Sequence, residues 1–213
     1  MTVPGPTTGP TTGPTTGEVT LRPTRAGIAR IWARSLTAVV LRRPPAQGPR
    51  HSAGTRQVVL VLAATEIVAA FLLSSMLPPA VRPVHAALEL LLVLGGLGLV
   101  AALARHPHEV DEERVALRTA FLGDVVLPRR AVRSTSPVVR TVPGRGPRPV
   151  PGEPGAVACS VESALNVAVH LDPPVLLDLG PAGPVVAATV YVSADSPRAL
   201  AEALRRVVPP HRS

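Results

Sequence analysis

Two apolar stretches, Val58 to Leu77 and Val84 to Ala104, follow one another with only a short Pro-rich segment between them. At ~1.5 Å of rise per residue, about twenty helical residues cover the ~30 Å hydrocarbon core of a bilayer, so each stretch is long enough to cross once. The expected fold class is therefore a membrane α-helical hairpin. Its two transmembrane helices run over 57–77 and 84–105, joined by a short external loop at 78–83. The first apolar stretch starts more than fifty residues into the chain and exceeds the usual 7–15 residue apolar core of a signal peptide, so it reads as an anchor rather than a cleaved leader.

The first stretch, VVLVLAATEIVAAFLLSSML, carries Glu66 near its midpoint. Eleven of its residues are Val, Leu, Ile or Phe, which together favour insertion by about 5 kcal/mol, against about 3 kcal/mol for one central ionisable residue. Glu66 is thus tolerable but costly, which makes it the candidate intramembrane functional residue. It is expected either to be a proton or ion site or to be a neutral carboxyl hydrogen-bonded between helices. Counting along the helices puts Glu66 ~16 Å and Glu89 ~8 Å from the outer surface, so the two are not expected to pair. Gly95 and Gly96 are instead expected opposite Glu66. Small residues set the expected contact: Ala63, Ala70 and Ser74 share the Glu66 face of the first helix, and Gly95, Gly98 and Ala102 share one face of the second. His85 and Glu89, four residues apart, read as an interfacial pair.

Orientation follows from charge. Arg22, Arg25, Arg30, Arg34, Arg42, Arg43, Arg50 and Arg56 precede the first stretch, whereas the connecting loop holds only Arg82. The positive-inside rule then places both termini in the cytoplasm, in a multi-pass protein of the inner (plasma) membrane. Basicity is concentrated beside the membrane, since residues 1–56 carry eight Arg against Glu18 while residues 106–213 balance twelve Arg with eleven acids. This predicts contact with anionic lipid through Arg25, Arg30, Arg34, Arg42 and Arg43. Aromatics form only 2% of the chain, too few to stack bases, so nucleic acid is not an expected partner.

Before the hairpin, residues 1–23 read as a disordered arm containing PTTGPTTGPTTG. Over 24–43, Ile28, Ile31, Trp32, Leu36 and Val39 fall in one arc with Arg30 and Arg34 opposite, the pattern of a basic amphipathic helix at the membrane surface. Residues 44–56 read as a linker.

After Arg105 the pattern becomes strand-like. Segments 114–119, 124–128, 166–171, 174–179 and 185–193 are bounded by Gly, Pro and Asp and several alternate with period two. The first two are joined by AFLG as a hairpin, and TVPGRGPRPVPGEPG (141–155) reads as a flexible, protruding loop. Cys159 lies in a stretch that reads as a buried strand and as apolar filler. Ser196 and Pro197 start a last helix that packs Leu200, Leu204 and Val207 or Val208 on the sheet.

HPHEVDEERVALRTAFLGDVVLPRRAV, NVAVHLDPPVLLDL and VSADSPRALAEAL, in that order, resemble the bacterial pleckstrin-homology-like domains found beside transmembrane pairs in small actinobacterial membrane proteins. All basic residues being Arg agrees with a high-GC bacterial source. The resemblance covers 106–208, leaving 209–213 as a tail. It implies an α+β cytoplasmic domain, a partly open antiparallel β-barrel capped by the C-terminal helix, with a binding or scaffolding role. Arg129, Arg130 and Arg133 are too few to define a headgroup pocket.

The chain carries no Walker, dinucleotide, nucleophile-elbow, zinc or kinase signature, and His106 to Glu113 reads as a solvated linker rather than a metal site. No catalytic, cofactor or metal residue is expected. The sequence therefore predicts a non-enzymatic membrane protein that anchors a protein-binding or scaffolding domain and acts with a protein partner or as a homo-oligomer. An alternative is an oligomeric proton- or ion-coupled channel or transporter component using Glu66.

Overall fold

Thr24 stands where the chain passes from Thr- and Pro-rich sequence to periodic apolar sequence. Its hydroxyl accepts a hydrogen bond from Gly27 N at 3.3 Å and so starts helix α1 (Arg25–Val40). This is a computed structural model that describes residues 15–20 and 23–206. Helix α2 (Ala53–Met76) ends before Pro78 and Pro79, and α3 (Arg82–Arg105) opens with Pro83 in its first turn. Both α2 and α3 are long and apolar enough to cross a membrane, each with a mean hydropathy of 2.3 over its most apolar window. Their apolar side chains point outward: Phe71 is 76% exposed and Leu72 65%.

The rest of the chain forms two open sheets. The smaller runs in the order β2 (Glu18–Thr20), β5 (Asp124–Pro128), β4 (Arg114–Leu117), β3 (Glu109–Val110). The larger runs β1 (Thr15–Thr16), β9 (Ala164–Asp178), β10 (Pro184–Val192), β8 (Ala156–Ser160), β7 (Gly146–Pro149), with β6 (Val132–Thr141) also paired to β9. Alternation in β5 buries Val125 and Leu127. These pack with Val115 and Leu117 against Val169, Leu177, Val190 and Val192 of the larger sheet. Helix α4 (Pro197–Arg206) is started by Ser196, whose hydroxyl accepts from Ala199 N at 3.2 Å, and buries Leu200 and Leu204 in the same core. The remainder of the expected last helix and the tail, 207–213, lie outside the described residues.

Several expectations are corrected. The larger sheet is mixed rather than antiparallel throughout, because β8 pairs with β10 and β1 with β9 in parallel; the smaller is antiparallel. The short Ser160–Ala164 connection carries the chain from β8 past one strand position to β9, and β10 then returns into the gap, parallel to β8. Segments 166–171 and 174–179 belong to one strand, β9. The end of the N-terminal arm is ordered: Thr15–Thr16 joins the larger sheet and Glu18–Thr20 the smaller, with Gly17 between them. A Cβ on Gly17 would lie 2.6 Å from Leu177 Cδ2, and Gly17 N donates to Leu176 O, so glycine lets this strap cross the core edge. The rest of the arm, 1–14 and 21–22, lies outside the described residues.

The Pro/Gly segment 141–155 is braced rather than flexible. β7 pairs with β8, and Arg148 donates to Pro143 O, Gly146 O and Val142 O at 3.0, 2.8 and 2.8 Å. Arg140 pairs with Glu153, which also accepts from the Tyr191 hydroxyl. Dense Pro and Gly here impose special backbone geometry, and side-chain donors then hold it.

Candidate functional site

Spacing by three and four residues gives α2 one less exposed line, Val59, Ala63, Glu66, Ala70 and Ser74. The matching line on α3 is His85, Glu89, Val93 and Gly96. A Cβ on Gly96 would meet Val59 Cγ1 at 3.5 Å and Ala63 Cβ at 3.8 Å, which places that glycine against α2. Towards the connection between α2 and α3 the Glu66 carboxyl comes close to that of Glu89. His85 Nδ1 stands 3.5 Å from Glu89 Oε1. Within this cluster, His85 Nε2 and Glu89 Oε2 are buried without a hydrogen-bond partner.

Glu66 and Glu89 therefore meet, contrary to the depth count. Glu66 stands ten residues before the end of α2 and Glu89 seven after the start of α3. That offset of three residues is only ~4.5 Å along the helix axis, within reach of two long side chains. The expected contact face on α3 is corrected too. Gly98 and Ala102 are buried, but the element that reaches Gly98 is α1: a Cβ on Gly98 would fall 1.8 Å from Trp32 Nε1. The indole N–H donates to Gly95 O at 3.2 Å. A large apolar ring with one donor needs both a gap and a free acceptor, and a glycine-rich helix face supplies them. Of the expected small-residue contacts, Ala63 faces Gly96 of α3, Ala70 and Ser74 share its less exposed line on α2, Gly95 and Gly98 receive Trp32 of α1, and Ala102 is buried.

Helix α1 thus docks its apolar arc on α3 instead of lying free. Its C-terminal end is tied by Arg105, whose guanidinium donates to Arg43 O and Pro44 O at 2.9 and 3.0 Å. The side chains of Arg25, Arg30, Arg34, Arg42 and Arg43 are exposed, and none makes an ion pair among the described residues.

A second constellation lies where α2 meets the sheets. The first N–H groups of a helix lack internal partners and carry a partial positive charge. In α2 they are satisfied from the β-rich domain: Ala53 N donates to Asp195 Oδ1 at 2.7 Å and Thr55 N to Glu162 Oε1 at 2.9 Å. Arg56 adds an ion pair to Asp195 Oδ2 at 2.6 Å. Beside them His51 accepts from the Ser52 hydroxyl through Nδ1 (2.7 Å) and donates from Nε2 to His106 O (2.9 Å). Its ring stacks on His108 with centroids 4.9 Å apart. His108 accepts from Arg118 N at Nδ1 and donates from Nε2 to Ser193 O, both at 3.1 Å.

Each imidazole therefore uses one nitrogen as donor and one as acceptor, the neutral form's arrangement. Burial pulls His51 below its ordinary value and His108 down to about 3, with the neighbouring His51 adding to the effect on His108. The expected linker 44–56 and the expected solvated run from His106 are in fact the two sides of this joint. Burying one apolar side of each imidazole offsets its desolvation only because both nitrogens find partners. Sequence reading missed the joint because its partners are 55 to 142 residues apart. Two histidines flanking Pro107 beside a span end, with His51 before the other span, were the available signal.

Burial holds the Cys159 thiol protonated by pushing it up, and Cys159 Sγ donates to Leu117 O at 3.4 Å, so it is not a nucleophile. Among the described residues no three His, Cys, Asp or Glu side chains converge to hold a metal ion. No protein-family model, curated protein or solved structure matches this chain.

Proposed function

We propose that this chain is an integral membrane protein whose α2–α3 hairpin crosses the cytoplasmic membrane with both ends inside, holding the β-rich domain at the inner surface as a non-enzymatic binding or scaffolding module. The observation that carries this reading is the capping of α2 by Asp195 and Glu162 of that domain. A domain that supplies the first hydrogen bonds of a spanning helix is rigidly oriented toward the bilayer, as a docking platform requires. The outward apolar surface of both helices and the arginines before α2 support the placement. Two open sheets sharing one core with α4 support kinship with pleckstrin-homology-like domains, although the parallel pairs are a departure. Reporters active only in the cytoplasm, fused to each terminus, should both give signal; an external signal at Ser213 would overturn the topology. Affinity capture of the solubilised full chain should return a stoichiometric partner, and recovery of the lone chain or its homo-oligomer alone would count against a hetero-partner scaffold.

A second reading rests on the meeting of Glu66, Glu89 and His85 between α2 and α3. Two carboxyls and an imidazole at one point between spans form a proton-exchanging group, which in an oligomer would serve ion coupling. Glu66→Gln should abolish proton flux in vesicles reconstituted with the full chain. Absence of flux in the parent protein would remove this reading.

A further inference from the structure

A cavity of about 410 Å³ opens where α3, the β4–β5 turn and the β6–β7 loop meet. Its volume falls in the range of small-ligand sites. Leu99 and Leu103 of α3 line it together with Phe121 and Leu122 of the turn, and Arg145 and Glu162 stand at the polar side. Leu99 and Leu103 lie six and two residues before Arg105, the last residue of α3, or ~9 and ~3 Å along the axis. If α3 crosses the bilayer, the apolar wall faces the acyl boundary of the inner leaflet and the polar side faces its headgroups.

Arg145 is exposed and has no hydrogen bond or ion pair among the described residues. Its loop is nevertheless fixed, because Arg148 holds the carbonyls of Val142, Pro143 and Gly146. The following Gly146 has φ +72°, and a Cβ there would strike Leu122 O at 2.5 Å, so the loop is pressed against the β4–β5 turn. Glu162 does not compete for the guanidinium: its Oε1 receives the Thr55 N–H and hydroxyl at the start of α2, whose dipole offsets its charge. An arginine on a stiff loop above an apolar wall at headgroup depth matches one ligand chemistry, a phosphate attached to an acyl chain.

The geometry points to a site for one anionic phospholipid drawn from the inner leaflet, its phosphate on Arg145 and an acyl chain along Leu99 and Leu103. This rests on the bilayer-spanning reading above. The test uses the full chain reconstituted in phosphatidylcholine bilayers containing a minority of phosphatidylglycerol, then released and weighed by native mass spectrometry. One phosphatidylglycerol should stay bound, enriched over its bilayer share. Arg145→Ala should lower the enrichment by about fivefold, the factor for losing one arginine's attraction to an anionic surface. Leu99→Trp, which fills the apolar wall and leaves Arg145 in place, should also lower retention. Arg205→Ala, on α4 and outside the cavity lining, should leave it unchanged.

Enrichment that survives both cavity variants, or that falls as much in Arg205→Ala, would overturn the site. So would its displacement by soluble glycerophosphoglycerol, which would assign the cavity to a soluble phosphate. Alkaline carbonate extraction of membranes separates the two readings. A chain that resists extraction but does not enrich phosphatidylglycerol refutes the lipid site alone, whereas a chain that is extracted refutes both.

Discussion

The hairpin and the β-rich domain draw on nearly the same residues, Val, Leu and Ala, and arrange them inside out relative to one another. In α2 and α3 the large apolar groups face outward while His85, Glu89 and Glu66 sit on the contact side. In the domain Val115, Leu127, Val169 and Leu200 are buried and the charged groups, Arg129 excepted, reach the surface. The difference shows that composition does not choose the arrangement; period and run length do. Strands alternating with period two have one dry face, and helices of 24 residues that are apolar all round have none to hide. Polar groups then gather at the only enclosed place the hairpin offers, its own seam.

The contrast is broken most strongly by one methylene-rich deletion made in each region. Leu200→Ala removes a fully buried side chain that joins α4 to both sheets and should cost about 2–5 kcal/mol. Leu72→Ala, at a position 65% exposed, should change stability in detergent by less than about 0.5 kcal/mol. Denaturation midpoints of the two variants measure the difference directly, and equal effects would mean that the outward face of α2 is packed after all.

Acid should act on the joint between the regions. His51 and His108 titrate below their unfolded value of 6.5 when folded. The unfolded chain therefore binds more protons in that window, and the stabilisation is complete above pH 6.5 and is lost as pH falls toward the folded values. For His108, whose folded value is about 3, linkage gives a loss of about 2 kcal/mol by pH 5. His108→Gln should flatten that part of the stability profile. A profile unchanged by the substitution would show that the imidazole is not held neutral.

The contact of α1 on α3 can be separated from the open face of α3 by two neighbouring glycines. A Cβ on Gly98 would overlap Trp32, whereas one on Gly95 meets nothing within 4 Å. Both substitutions to Ala gain the same helix propensity, so their difference isolates the clash, about 1–3 kcal/mol. Trp32 is the only tryptophan, and its emission should shift to the red in Gly98→Ala and stay in place in Gly95→Ala.

What could be read in advance follows the range of the interaction. The spans, the start of α4 at Ser196, and strand β5 over Asp124–Pro128 are set by local period and capping, and the sequence carries them openly. Glu66 stood out because its cost is local. Its meeting with Glu89 did not, because level in a hairpin depends on how the turn at Leu77–Val81 closes. The partners of α2's first turn were hidden for the same reason, being loop carboxylates more than a hundred residues away. The buried strand around Cys159 was legible, but β6 and β7 were obscured by Pro and Gly, which normally interrupt strands; there Arg148 and Arg140 supply the bonds that the backbone cannot.

The smallest expected effect concerns Asp195, the residue through which the two inverted regions touch. Its Oδ1 caps Ala53 N and its Oδ2 pairs with Arg56, with both side chains less than one-fifth exposed. Asp195→Ala removes both and should cost about 1–2 kcal/mol, as loss of an N-cap acceptor does. Asp195→Asn retains an acceptor for Ala53 and loses the charge, so it should cost about 1 kcal/mol or less, and less still at high salt. If the Asn variant matches the Ala variant at every salt concentration, the ion pair with Arg56 holds the domain to α2. If the Asn variant is close to the parent, the helix cap does, and the domain is oriented by hydrogen bonds that salt does not screen.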